Sequence, residues 1–226
     1  MARLSQELRN AHTDAWVAST SHRFVRDLWA GVVPDPVMRR YLSQDYLFVD
    51  AFVALMGAAV SHSDSAGARL TIARQLGMVA NDEDGYFVRG LTRLDPDFKA
   101  SAPPSSQDAL VGHTAYTPHA ATAGFLRLMD EARASYAAAL TVLLVAEWLY
   151  LDWATPVPTP PTPADWLYAE WIELHRGPAF EAWVQLLRNE FDRVAAAADE
   201  ETRKGMEELF ARAVKLELEF FDAAYE

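Results

Sequence analysis

The sequence contains no cysteine. That absence removes disulfides, thiolate zinc sites and thiol nucleophiles together, and it is consistent with a reducing compartment. Positive charge is also scarce: 20 Lys and Arg stand against 32 Asp and Glu, a formal net charge of −12. Nucleic acid and anionic membrane are therefore disfavoured as main partners. The N-terminal "MARLSQELRNAHTDAW" lacks the apolar core of a signal peptide. No segment reads as a clean membrane span, and the apolar run from Tyr46 to Val60 suits a buried helix better. Alternating β-branched runs between tight turns are missing as well. These absences leave a cytoplasmic, all-α protein as the expectation.

What is present reads as helix. Apolar residues recur at three- and four-residue spacing in Val37–Val49, Phe125–Tyr136, Phe180–Val194 and Met206–Tyr225. Ser21 is placed to cap "HRFVRDLWAG", Gly31 to end it, and Pro34 with Pro36 to open the next helix. Gly177 and Pro178 separate "ADWLYAEWIELHR" from the helix that follows. Two loops are expected. Asp95–Pro118 holds Pro96, Pro103, Pro104 and a Ser-rich patch, and "ATPVPTPPTPA" (Ala154–Ala164) carries five of the twelve prolines. The helices after the second loop are too few to bury a core alone, so 1–226 is read as one helical domain with a stiff outer loop at 154–164.

Acids in oily surroundings are the chemical clue. In "RRYLSQDYLFVDAFVALMGAAV" Asp45 and Asp50 sit in a run that should be wrapped in protein, where an unpaired carboxylate is expensive. One reading pairs them with arginines such as Arg23 or Arg26. The other turns them toward a ligand. In "LTVLLVAEWLYLDWA" apolar residues surround Glu147, with Asp152 five residues on; at roughly 100° per residue, Ala146, Glu147 and Tyr150 share a wall of the helix. The alternative there is that Glu147 reaches solvent at the helix edge. In the C-terminal "KLELEFFDAAYE", Glu217, Phe220 and Phe221 share a face and Glu219 points elsewhere. Three helices thus each carry an acid beside aromatic rings, a pattern that fits a polar pocket holding a flat ligand.

Other residues carry plainer readings. Trp148, Trp153, Trp166, Trp171 and Tyr168 are read as core or interface packing, and His62, His113 and His119 as surface or loop residues. A carboxylate-bridged di-metal bundle would need paired Glu-x-x-His motifs; none occurs, since Glu173 and His175 have the wrong spacing. No metal and no cofactor are expected.

"SHRFVRDLWAGVVPDPVMRRYLSQDYLFVDAF", "EWLYLDWA", "YAEWIELH" and "ELEFFDAAYE" together, in this order, resemble the TenA (thiaminase II) family. The resemblance runs from about Trp16 to Glu226 and is weak over 80–118. It implies the haem-oxygenase-like all-α bundle, assembly as a homo-oligomer (dimer or tetramer), no metal, and hydrolysis of aminopyrimidines related to thiamin breakdown. By resemblance, Asp45 would hold the amino and ring nitrogens of a pyrimidine. Glu217 would be the acid–base residue, Tyr150 would orient the reacting group, and Phe220 would pack on the ring. The family's nucleophilic cysteine falls at Ala146, whose methyl group cannot attack. Family tyrosines fall at Phe48 and His175, and a further family aromatic at Thr122. The chain therefore resembles the cysteine-less branch, in which Glu147 would serve as base on a water, with formamido- or aminopyrimidines as substrates. A pocket that kept binding and lost catalysis, or one turned to different chemistry, are the alternatives.

Overall fold

The computed structural model describes residues 3–79, 84–98 and 116–226. Its elements are α1 (Leu4–Ala11), α2 (Thr13–Thr20), α3 (Arg23–Ala30), α4 (Asp35–Tyr46), α5 (Phe48–His62) and α6 (Ala66–Met78). They continue with α7 (Asp84–Leu94), α8 (Ala120–Ala132), α9 (Tyr136–Ala154), α10 (Trp166–Leu174), α11 (Pro178–Ala197) and α12 (Glu200–Ala223). Among the described residues there is no strand.

α9 is the axis of the bundle. It is apolar on every side because α2, α5, α8, α11 and α12 surround it. A helix packed all round has no polar face to keep, so its sequence lacks the stripe of an amphipathic helix. Ser135 starts it by accepting from the Ala138 amide. Leu140, Leu143 and Leu144 are fully buried, and truncating one of them to Ala should cost about 2–5 kcal/mol. By length and composition, residues 35–62 and 136–154 could each cross a membrane, contrary to the sequence expectation. Most of the α9 stretch is buried in the bundle, and the other is divided at Leu47 into α4 and α5.

The boundaries differ from the sequence reading in physical detail. His22, not Ser21, caps α3: its Nδ1 accepts from the Phe24 amide at 3.1 Å. Gly31 ends that helix at φ 68°, in the left-handed region. The Phe125–Tyr136 periodicity crosses a break, because α8 stops at Ala132 and Ser135 caps a new helix. Gly177, at φ 88°, and Pro178 turn the chain from α10 into α11 as expected. One close approach positions the site. A Cβ on Gly124 would lie 2.8 Å from Leu216 Cδ2, so glycine there lets α8 seat against α12 beside Glu217.

Residues 155–165 form the expected outer loop, and Val157 is 96% exposed. The Pro103–Pro104 patch and His113 lie outside the described residues. Of the aromatic residues read as packing, Trp148, Trp153, Trp171 and Tyr168 are buried. Trp166 instead stands at the surface, covered by the guanidinium groups of Arg89 and Arg93.

Candidate active site

α4, α9 and α12 deliver Asp45, Glu147 and Glu217 to one cavity of about 130 Å³. That is room for far more than a single water, which needs roughly 10–15 Å³. All three carboxylates are buried, at 9%, 6% and 3% exposure. Glu147 therefore does not reach solvent, and Asp45 is not held by Arg23 or Arg26. Arg23 pairs with Asp27, and Arg26 bonds the Ser21 carbonyl. Asp50 is exposed, because α5 lies at the edge of the bundle and turns that position outward. Among the described residues no lysine or arginine lines the cavity.

Burial drives the chemistry of Glu217. Removal from water raises its pKa well above the ordinary carboxylate range, and the nearby charges of Asp45 and Glu147 raise it further. Its carboxyl therefore holds a proton more firmly than an ordinary carboxyl group does. Acids whose proton affinities are pushed apart in this way are the pattern that acid and base steps at one pH require. Among the described residues no cluster of three or more His, Asp or Glu side chains is arranged to hold a metal ion.

Rings close the cavity. Phe48, from the first turn of α5, lies 5.1 Å from Phe220 and 5.5 Å from Phe125. Tyr150, one turn beyond Ala146, shares a 2.9 Å hydrogen bond with the hydroxyl of Tyr41. Tyr41 is itself fully buried and stacks on Phe24 at 4.1 Å. Ala146 lines the same wall, and its methyl is all that the protein offers there. Trp171 is both core and cavity wall, so the reading of it as packing alone was too narrow.

His175 follows the last turn of α10. Its Nδ1 donates to the Trp171 carbonyl at 2.8 Å, one of the carbonyls a helix end leaves without a backbone donor. Burial pushes its pKa down to about 4, outweighing the opposite effect of that hydrogen bond, so the ring is neutral at pH 7.

Thr122 is the predicted site residue that the structure does not bring to the cavity. It is buried behind the wall, where its hydroxyl donates to Gln44 Oε1 at 2.7 Å. The loop-rich sequence before α8 gave no register to place it. Gln44 was missed by sequence reasoning. Its Oε1 also accepts from the His119 amide at 2.8 Å, and its Nε2 donates to the Thr117 carbonyl at 3.1 Å. A buried amide with all these bonds made fixes the start of α8 against α4, one residue from Asp45. The signal was a second polar residue beside the acid in "SQDY". The far wall, with Phe52, Met78, Met129 and Phe180, was also unforeseen, since nothing distinguishes such residues from ordinary core.

Similarity to known proteins agrees with this architecture. An aminopyrimidine aminohydrolase from Helicobacter pylori is 22% identical over 99% of both chains. A solved TenA homologue from Pyrococcus furiosus superposes with a TM-score of 0.81 at 17% identity, over 98% of this chain and 99% of that one. Another, from P. horikoshii, gives 0.78 at 18% identity over 99% of each. These structures share the haem-oxygenase-like helical fold. The family match covers residues 9–94 and 114–226. The chain belongs to the TENA/THI-4/PQQC family.

Proposed function

We propose that the cavity is the active site of a thiol-independent hydrolase acting on an aminopyrimidine or formamidopyrimidine related to thiamin salvage. The observation that carries this reading is the meeting of Asp45, Glu147 and Glu217 in one ring-lined cavity, with burial and its acidic neighbours raising the proton affinity of Glu217. The similarity to an aminopyrimidine aminohydrolase supports the substrate class.

Asp45 binds the amino and ring nitrogens, Phe48 and Phe220 flank the ring, and Tyr150, fixed by Tyr41, orients the reacting group. Glu147 takes a proton from water as its oxygen bonds to the carbon bearing the nitrogen. The C–N bond then breaks while Glu217 gives its proton to the departing nitrogen. An aminopyrimidine yields ammonia and a hydroxypyrimidine; a formamide yields formate and the free amine. Glu147 is left protonated and Glu217 charged, and proton return between them restores the starting state. No step needs the thiol that Ala146 lacks. The half-covered apolar side of α5 (Ala51, Val53, Ala54, Ala58), with exposed Leu70 on α6, supports assembly as a homo-oligomer. A cytoplasmic location fits the same reading.

Release of ammonia or formate from such compounds by wild type and not by Glu217→Gln tests the proposal. Tight binding without turnover across a panel of pyrimidine amines and amides would leave a binding protein, the reading that Ala146 favours.

A further inference from the structure

His175 has a side chain whose chemistry is fixed by its place in the chain. It caps the end of α10, and a backbone carbonyl can only accept; the 2.8 Å contact with Trp171 O therefore places the ring proton on Nδ1. Trp171, Tyr150, Phe180 and Trp153 surround the ring, with centroids at 4.5, 4.8, 5.5 and 5.6 Å. Turning the ring over would put a carbon against Trp171 O and forfeit that bond. The ring lines the cavity, and its Nε2 makes no hydrogen bond to any described residue. What His175 can offer a ligand is a lone pair.

We infer that His175 is a specificity-determining acceptor: the ligand must present an N–H or O–H to Nε2, and a group bearing only lone pairs at that position is rejected. The inference rests on the active-site reading above and deepens it by assigning the C5 substituent, beside the edge that Asp45 binds. A tyrosine hydroxyl there could turn to donate or accept. A neutral imidazole held at Nδ1 can only accept, so the preference is built into the fold. An ether or a ring nitrogen facing Nε2 sets two lone pairs against each other and leaves both without a donor. The low basicity of the ring keeps this state through neutral pH.

The test uses four 4-amino-2-methylpyrimidines that differ only at C5: hydroxymethyl, its isostere ethyl, methoxymethyl, and its isostere propyl. Binding is measured by calorimetry to wild type and to His175→Phe, which keeps an aromatic ring in the same box. Wild type should bind the hydroxymethyl compound about tenfold more tightly than the ethyl compound. It should also bind methoxymethyl more weakly than propyl. His175→Phe should compress both ratios to within about twofold while retaining the ethyl compound. Unchanged ratios in the variant, or a wild-type preference for methoxymethyl over propyl, overturn the inference. If neither protein binds any of the four, the active-site reading has failed, and nitrogen-15 NMR of histidine-labelled wild type decides the remaining point. A ring protonated on Nδ1 at pH 7 supports the acceptor assignment for whatever the cavity takes; a proton on Nε2, or on both nitrogens, overturns it.

Discussion

α9 carries two acids five residues apart, and the bundle treats them in opposite ways. Asp152 faces the N-terminal helices, where Arg9 Nη2 approaches to 3.2 Å and the indole of Trp16 donates at 2.9 Å. Arg9 also lies over the rings of Trp16 and Trp148, and Arg188 over Trp148 at 4.1 Å. That end is a structural clasp, with cations, rings and an acid satisfying one another. Glu147 faces a space whose walls, among the described residues, carry two more acids and neither lysine nor arginine. One helix thus separates an acid set in a clasp of cations and rings from an acid on the cavity wall. The difference lies in the neighbours, since both acids are set in apolar sequence.

The sharpest way to break the comparison is to neutralise each region in turn. Glu217→Gln should lower kcat for the hydrolysis by about 10²–10⁴-fold, the usual contribution of a positioned acid or base. Ligand affinity should change little, and product release with calorimetry on the same samples checks both. Asp45→Asn keeps the shape and loses the charge, so affinity for an aminopyrimidine should fall roughly tenfold to a hundredfold, as for a hydrogen bond to a charged group. Asp152→Ala should do the reverse. It strands Arg9 and the fully buried Trp16 indole, so it should cost about 1–3 kcal/mol in urea unfolding and leave kcat within about twofold.

The two regions should also differ in their response to pH. Glu217 holds its proton more tightly in the folded chain than in the unfolded one, whose value is near the ordinary 4.5. Its contribution to stability is complete below that value and is lost as pH rises through the raised folded value. Glu217→Gln should therefore gain stability relative to wild type on going from pH 5 to pH 9, measured by denaturant titration. His175 has the opposite sign. Its folded value of about 4 lies below the ordinary 6.5, so its contribution is present above 6.5 and is lost as pH falls toward 4. His175→Phe should flatten that acid-side loss.

The smallest perturbation is Ala146→Cys. It should change stability by less than about 1 kcal/mol. Because the chain has no other cysteine, alkylation would report on the cavity wall alone, and a bound aminopyrimidine should slow it. Modification unaffected by the ligand would mean that the ligand sits elsewhere.

The residues that reached the cavity were legible for a thermodynamic reason. An acid inside an apolar helix is costly, so Asp45, Glu147 and Glu217 each required an explanation before any fold was known. The same logic failed for Asp50, because α5 is an edge helix and apolar sequence there does not mean burial on all sides. Helix type was clear from periodicity, yet periodicity carried straight through the breaks at Leu47 and at Arg133–Ser135, where the apolar spacing persists across a change of direction. Gln44 and the His175–Trp171 bond were not readable. Each depends on where a polar atom points after packing, which spacing alone does not encode. Thr122 illustrates the same limit, since a shift of one position around a helix separates a cavity wall from the layer behind it.

The most direct measurement is a crystal structure of the wild-type protein soaked with a 4-amino-2-methylpyrimidine that carries a second, releasable amine on its C5 substituent. The account predicts the ring between Phe48 and Phe220, its amino edge on Asp45, with the Glu147 and Glu217 carboxyl groups both reaching its reacting carbon directly or through one water. A ligand bound outside this cavity, or one whose reacting carbon neither glutamate approaches, would contradict it.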